Sequence, residues 1–317
     1  MSDTDPGKAF RAERVVQLKK KPRIIADTRK EVLRLLKLAQ QRIAATLAAQ
    51  PSAAELWLLP QLQREIAQAM TEFSTAAAAT TSAATGEAWA AGQALIDAPL
   101  NAAAAAGAAR YIGAAPLLDT RQLLAMRAFM ADRIKDIGLQ AANKINTELG
   151  LVVIGAQAPA VAVSKVSALL DDAPRSRAIN IVRTELSRVY AVAASERALQ
   201  TAELVPGMQK QWRRSGKVHS RIAHDLADGQ VQDVDKPFKL ANGVTLMFPH
   251  DPKAPAKEVI NCGCTSIPYM KEWEVTTPGR KRFTELEMQR NPAKRDLQEQ
   301  IDSGKSMRAI IEGSKAA

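Results

Sequence analysis

Residues 118–150, LDTRQLLAMRAFMADRIKDIGLQAANKINTELG, decide the fold class of most of this chain. Apolar side chains recur here at steps of three and four residues, which is the spacing of one face of an α-helix. Their positions are Leu123, Met126, Met130, Ile134, Ile137, Ala141 and Ile145. Asp119 or Thr120 is a suitable N-cap, and Gly150 is a suitable end. The stretch therefore predicts a long amphipathic helix with its apolar face in a core.

The segments on either side show the same helical spacing. Apolar residues fall on one face in 24–43, in 62–76 and again in 179–192. Segment 74–110 is rich in alanine, which favours helices that pack closely on small side chains. The chain up to about residue 205 is therefore predicted to be a mainly α N-terminal domain.

The composition changes after residue 205. Residues 206–270 are rich in Gly, Pro, Asp and His and contain short apolar runs such as VTLMF. This pattern predicts a small, loop-rich α+β module with a few short strands. A final helical segment is interrupted near Pro292. The predicted organisation is a flexible basic arm (1–23), a helical domain (24–205), a C-terminal module (206–270) and a helical tail (271–317) whose end is polar and mobile.

The net charge of +11 and the pI near 9.7 favour an anionic partner, and nucleic acid is the usual one. A soluble basic protein with a solvated N-terminal tail is the alternative. The candidate phosphate contacts are Lys19, Lys20, Lys21, Lys210, Arg213, Arg214 and Lys217.

Several classes of protein are excluded by composition and motif. Two cysteines do not make a disulfide-rich secreted scaffold. The N-terminus lacks the pattern of a signal peptide, and the alanine stretches are too polar to span a membrane. A Gly-rich phosphate loop, a Gly-x-Ser-x-Gly turn and a His-Glu-x-x-His helix are all missing from the sequence. We therefore expect a cytoplasmic protein, or one inside a particle assembled there, that has no catalytic activity, small-molecule substrate or membrane partner.

The chemistry-bearing residues are concentrated in the predicted C-terminal module. All three histidines, His219, His224 and His250, lie there together with both cysteines, Cys262 and Cys264. Zinc favours imidazole and thiolate ligands in a tetrahedral array. His224 and the two cysteines would supply three ligands, and His219 or His250 would supply the fourth. An aspartate, Asp228 or Asp251, is a further candidate for the fourth position.

Other interpretations of this cluster stay open. The cysteines can be small buried apolar residues, with the histidines satisfied by hydrogen bonds. A catalytic metal would need an open coordination position and a general base. A cysteine nucleophile with His224 as its base is a third possibility.

Residues 211–265 carry a pattern that resembles a known family, the phage Mu F-like minor head proteins, also called phage head morphogenesis proteins. The family's Arg-Thr-Glu helix is matched upstream by Arg183, Thr184 and Glu185, so that the resemblance covers roughly residues 175–268. Gly263 departs from the pattern, because the family usually has arginine there. The matching positions of the module are Trp212, Arg221, His224, Gly229, Pro237, Phe238, Pro249, Asp251, Pro252, Asn261, Cys262 and Cys264.

The resemblance implies a structural role in the head of a tailed phage. Proteins of this family join the procapsid with the portal, so the implied partners are the portal protein and the major capsid protein or scaffold, with packaged DNA as a further contact. The implied location is the virion head, in the capsid interior or at the portal, after assembly in the host cytoplasm. Within the module, Trp212 and Phe238 are expected to be core anchors and Asn261 a turn residue.

Two rival functions come from other classes. One is a metal-dependent hydrolase or nuclease that uses His224, Cys262 and Cys264. The other is a plain DNA-binding protein, whose affinity would fall steeply with salt and depend on the N-terminal lysines.

Overall fold

The structure is a computed structural model that describes residues 5–51, 58–108, 118–171, 173–270, 279–306, 309–310 and 312. As predicted, the N-terminal part is mainly α-helical and the C-terminal part is a smaller region with short strands. None of the helices that the structure describes is long and apolar enough to cross a membrane. The N-terminal helices are α1 (Pro6–Leu18), α2 (Lys20–Ala48), α3 (Leu59–Ala105), α4 (Arg121–Val153), α5 (Pro159–Asp171) and α6 (Ala173–Ala202).

Helix α4 contains the stripe that the sequence predicts. Met130, Ile134 and Ile145 are buried, whereas Leu123 and Met126 are only half-buried. The helix does not end at Gly150 as expected. It continues to Val153 and stops where Gly155 adopts a left-handed backbone with φ +76°, which glycine allows without steric cost.

The alanine-rich helix α3 packs through small residues. A Cβ added to Gly92 would collide with the backbone oxygen of Tyr190 on α6, so only glycine allows this approach. Thr81 and Thr85 are fully buried in α3, and each hydroxyl donates to the carbonyl four residues earlier. Close helix packing was therefore correctly predicted from composition.

The chain divides into two compact units. One comprises residues 22–87 and 119–186, and its core contains Val32, Leu36, Ile66, Met70 and Ile134 among other apolar residues. The other comprises residues 1–21, 88–118 and 187–317 and contains the C-terminal module. Each unit therefore consists of stretches that are separated in the sequence, whereas the predicted segments were consecutive.

The C-terminal module is built on an antiparallel sheet. Its strand order is β2-β1-β5, with Trp212 opposite Ser266 and Arg213 opposite Thr265, and strands β3 and β4 form a separate hairpin. The elements are β1 (Met208–Arg213), α7 (Ile222–Leu226), β2 (Val231–Asp233), β3 (Phe238–Lys239), β4 (Thr245–Leu246), α8 (Ala256–Val259), β5 (Thr265–Met270), α9 (Glu285–Arg290) and α10 (Pro292–Asp302). The predicted break near Pro292 is confirmed, because α10 begins at this proline.

The N-terminal segment is helical rather than flexible, which corrects the expectation of a mobile arm. Phe10 of α1 has no exposed surface and packs in a cluster with Leu100, Met208 and Met270. Arg14 donates a hydrogen bond of 3.0 Å to the carbonyl oxygen of Pro268 on β5. Apolar burial and this bond hold α1 against the sheet of its own unit.

The described part of the C-terminal tail also packs on the module. Lys294 of α10 is fully buried and lies 2.8 Å from Glu287 and 3.3 Å from Asp225. Arg214 pairs with Glu287 at 2.5 Å. The expected mobile end, residues 313–317, lies outside the described residues.

Candidate metal centre

Two short elements bring His224 and the cysteine pair together. His224 lies on the one-turn helix α7, and Cys262 and Cys264 lie in the loop between α8 and β5. Asn261 opens this loop with a left-handed backbone, φ +56°, which a short polar side chain tolerates better than most. The amide of Cys264 then donates to the Cys262 sulfur at 3.4 Å, so the loop folds around that sulfur.

Gly263 is required by the packing of this loop. A Cβ at this position would lie 2.7 Å from the Cβ of Ser215 and 3.1 Å from Cε of Lys217. Glycine at this position therefore has a steric reason: the chain on the other side of the loop occupies the space that a side chain would need.

The ligand atoms of His224, Cys262 and Cys264 converge on one point. His224 Nδ1 lies 3.5 Å from the Cys262 sulfur and 3.7 Å from the Cys264 sulfur, and all three residues are buried. In a tetrahedral zinc site, the bonds are about 2.3 Å to sulfur and about 2.0 Å to nitrogen. A sulfur ligand and a nitrogen ligand of the same ion then lie about 3.5 Å apart. The three residues can therefore hold a metal ion as they stand.

The other nitrogen of His224 is held by a carboxylate. Nε2 lies 2.8 Å from Oε2 of Glu258, and both side chains are buried. The second oxygen of Glu258 accepts a bond of 2.9 Å from Asn242. A carboxylate on Nε2 places the ring proton there and leaves Nδ1 as a lone pair directed at the sulfurs, the usual arrangement behind a metal-bound histidine. The sequence does not single out Glu258 as a partner of His224, because the two residues are 34 positions apart and such a separation carries no local signal.

Aromatic rings form one wall of the site. Trp212 has no exposed surface. Its ring packs edge-on against the rings of His224 and Phe238, with 5.4 Å between ring centroids in each case. Trp212 and Phe238 belong to the same buried cluster as both cysteines. The expectation that these two residues are core anchors is confirmed.

The titration of the site reflects this contact of sulfur and imidazole. Hydrogen bonds from Cys264 and His224 lower the pKa of the Cys262 thiol, although burial opposes the shift. The hydrogen bond between the two cysteines raises the pKa of the Cys264 thiol, and burial raises it further. Burial lowers the pKa of His224, but Cys262 and Glu258 outweigh it, and the net direction is upward.

The two other histidines occupy different environments. His219 is exposed and is not among the converging residues. His250 has 1% of its surface exposed and a left-handed backbone with φ +71°. Burial lowers its pKa, and the neighbouring Cys262 opposes this shift. Within the described residues, neither ring nitrogen makes a hydrogen bond.

Two lysines hold the backbone of the cysteine loop. Lys217 donates to the carbonyl of Asn261 at 2.6 Å, and Lys21 donates to that of Cys264 at 3.2 Å. Burial lowers the pKa of Lys21 to about 8, although the two cysteines oppose the shift. Both lysines were expected to contact phosphate, and the structure instead assigns their amines to this loop.

The predicted phosphate patch on β1 is corrected in the same way. Lys210 is buried and donates to the carbonyls of Val234 and Met247. Arg213 is buried against the carbonyl of Gly279 at 2.6 Å, and Arg214 is paired with Glu287. Lys19 and Lys20 are exposed, so of the seven predicted contacts these two keep their side chains in solvent.

The remaining motif residues have structural contacts. Arg221 donates to the carbonyl of Ile260 at 2.8 Å. Gly229 has φ +83°, and a Cβ there would collide with the backbone of Gly279. On α6, Arg183 is half-buried, Thr184 is buried, and the buried Glu185 accepts a 3.0 Å bond from Arg133.

Comparisons with known proteins give little further guidance. No protein-family model matches the chain, and no solved structure matches it. A stretch of 109 residues is 30% identical to the uncharacterized protein YqbB of Bacillus subtilis (strain 168). The match covers 33% of this chain and 36% of YqbB, about a third of each protein. The name of that relative states no activity or partner.

Proposed function

We propose that this chain is a minor head protein of a tailed phage whose C-terminal module is stabilised by a zinc ion on His224, Cys262 and Cys264. The convergence of the three ligand atoms carries the zinc part of the proposal, because their separations of 3.5 and 3.7 Å fit a tetrahedral ion. A donor set of two thiolates and one imidazole favours zinc over the hard cations, which prefer oxygen.

The surroundings of the ligands favour a structural role for the ion. All three ligands are buried, and Glu258 is already engaged by His224 and Asn242. A carboxylate held in this way is poorly placed to activate water as a general base. This arrangement supports assembly over the rival hydrolase.

Support for a role in head assembly comes from the resemblance of residues 175–268 to the Mu F-like proteins. The positions that carry this resemblance include the buried Trp212, Phe238, Cys262 and Cys264, which form one cluster. A module of this kind would present a rigid surface to the portal protein or the major capsid protein. The net charge of +11 suits a neighbour of packaged DNA.

Metal analysis of the purified protein tests the zinc site. We expect about one zinc per chain, lost in His224→Ala and in Cys262→Ser/Cys264→Ser together with thermal stability, because folding and metal binding are coupled. His219→Ala is the matched control, since that histidine is exposed, and it should keep both the metal and the stability. Wild-type protein without bound metal after zinc loading would overturn the site.

The role in the head needs a separate experiment. Gradient-purified procapsids and mature heads of the phage that encodes the chain are analysed by mass spectrometry. The chain is expected in low copy beside the portal protein. Its absence from both kinds of particle would refute the assembly role without affecting the metal site.

A further inference from the structure

We infer that the side chains of Lys294 and Asp225 join through a covalent amide bond, a crosslink that the chain forms on itself after folding. The two residues lie on α10 and α7, so the bond would tie the C-terminal helices to the rest of the module. The inference does not depend on the proposed zinc ion, because none of the three metal ligands takes part in the reaction.

The amine and the carboxyl group are in contact and shielded from water. Nζ of Lys294 lies 3.3 Å from Oδ2 of Asp225, and neither side chain has exposed surface. The ring of Phe283 is centred 5.1 Å from the same nitrogen. Leu226 and Leu297, which neighbour the pair on α7 and α10, belong to the same buried apolar cluster as Phe283. Groups held together in this way react as if at a very high concentration.

The charges of the buried network favour the loss of one ion pair. The network contains two cations and two carboxylates, from Arg214, Lys294, Asp225 and Glu287. An amide would replace one cation and one anion by an uncharged group, and Arg214 and Glu287 would remain as a neutral pair. Because buried charges are costly, the condensed network is the less costly one to bury.

Asp225 is suited to react as a carboxylic acid. Burial raises the pKa of its carboxyl group, although Ser220 and Lys294 oppose the shift. Within the part of the chain that the structure describes, its Oδ1 atom has no hydrogen-bond partner. An unsatisfied oxygen costs less in a neutral amide than in a charged carboxylate, so the product also relieves this atom.

The reaction is a condensation that releases one water. A proton passes from the ammonium group of Lys294 to the carboxylate of Asp225, which gives an amine and a carboxylic acid. The amine nitrogen then attacks Cγ, a C–N bond forms, and the bond from Cγ to Oδ2 breaks. The hydroxyl group at Oδ2 leaves as water with a second proton from the nitrogen. The amide keeps the third proton and Oδ1, so the atoms balance without an oxidant or a reductant.

Two polar side chains hold the reacting atoms. Glu287 accepts a hydrogen bond of 2.8 Å from Nζ of Lys294, and because Arg214 keeps this carboxylate ionised, it orients the amine without taking its proton. Ser220 donates a bond of 2.7 Å to Oδ2 of Asp225. This hydroxyl group touches the departing oxygen, so it can pass a proton to that oxygen and regain one from the nitrogen.

The mass of the intact, denatured full chain tests the crosslink. We expect wild type to be lighter than its unmodified sequence by one water, and its protease digest to contain one branched peptide that joins Asp225 and Lys294. Lys294→Arg should have the full mass, because a guanidinium group stays protonated and is not a nucleophile. Lys281→Arg is the matched control, since that lysine is exposed, and it should keep the loss of one water.

Asp225→Asn gives a signature that an ion pair cannot give. Its side chain would condense with Lys294 by losing ammonia in place of water, so the branched peptide should form with that different mass loss.

The wild-type protein alone decides the outcome, even if a variant does not fold. Folded wild type that keeps its full mass after incubation at neutral pH would overturn the crosslink and leave an ordinary buried ion pair. A loss of water without a peptide that joins positions 225 and 294 would overturn the assignment to these two residues. Neither result bears on the metal site or on the role in the head.

Discussion

At the scale of single residues, Glu258 decides how His224 faces the cysteines. Its carboxylate lies 2.8 Å from Nε2 of His224 and is itself fixed by Asn242. The contact selects the tautomer in which Nδ1 carries the lone pair, and it keeps the ring from rotating. In the proposed zinc site, Glu258 would therefore position His224 and would not itself be a ligand.

Replacing Glu258 by glutamine should lower zinc affinity by about 10- to 100-fold while one zinc per chain still binds at saturation. Competition with a chelator measures the affinity. Glu285→Gln is the control, because Glu285 is an exposed carboxylate on α9. Equal affinities of the two variants would show that the carboxylate does not orient His224.

Gly263 has a steric role in the cysteine loop. Gly263→Ala should lower the free energy of unfolding by about 1–3 kcal/mol, because the new Cβ would overlap Ser215 in a packed loop. Gly150→Ala is the control, since no atom lies within 4 Å of its added Cβ. That helical substitution should raise stability by roughly 0.5–1 kcal/mol. Urea unfolding measures the free energy of unfolding of both variants. A Gly263→Ala variant as stable as the wild type would contradict the clash.

At the scale of elements, buried charges join α9 and α10 to α7 and to Arg214, the residue that follows β1. Glu287 accepts from Arg214 at 2.5 Å and from Lys294 at 2.8 Å, and Asp225 lies 3.3 Å from the same lysine. Breaking a buried pair of this kind leaves an uncompensated charge, so the elements depend on one another.

The same network predicts a pH dependence. Burial alone would raise the pKa of Glu287, but Arg214 and Lys294 lower it from 4.5 to about 2. Because the folded value is the depressed one, the stabilisation is complete above about pH 4.5 and is lost as the pH falls towards 2. Glu287→Gln should have a lower free energy of unfolding at neutral pH and a shallower loss across this window. Urea titrations at several pH values measure the free energy of unfolding of wild type and variant. If the two free energies fell in parallel as the pH decreased, Glu287 would not be the group responsible for the pH dependence.

At the scale of the whole molecule, the N-terminal residues are part of the unit that contains the candidate metal centre. Phe10 is fully buried among Leu100, Met208 and Met270, and Lys21 reaches the cysteine loop. Folding of the module therefore depends on residues about 200 positions earlier in the chain.

Phe10→Ala should lower the free energy of unfolding by about 3–5 kcal/mol, the usual cost of removing a buried aromatic side chain. Val15→Ala, on the half-exposed side of the same helix, should change it by less than about 0.5 kcal/mol. Thermal unfolding that follows the near-ultraviolet signal of the tryptophans reports on the whole chain. Similar losses in both variants would indicate fraying of α1 and not the loss of a core contact.

The sequence by itself determined that the N-terminal part is helical, that short strands follow it, and that His224, Cys262 and Cys264 are candidates for one cluster. These features depend on local periodicity, or on rare residue types concentrated in one stretch, as with His224 and the cysteine pair. Helix α4 ends at Val153 instead of Gly150, just before the left-handed Gly155, and spacing in the sequence does not report that backbone angle.

The tertiary structure alone decided the partners of the charged residues. Lys21, Lys210, Arg213 and Lys217 look like a phosphate-binding set in the sequence, yet their cationic groups bind backbone carbonyls inside the unit. Glu258 likewise acquires its contact with His224 only when distant segments meet at the cysteine loop. The physical reason is that burial and pairing depend on contacts between segments remote in sequence, and periodicity carries no information about those contacts.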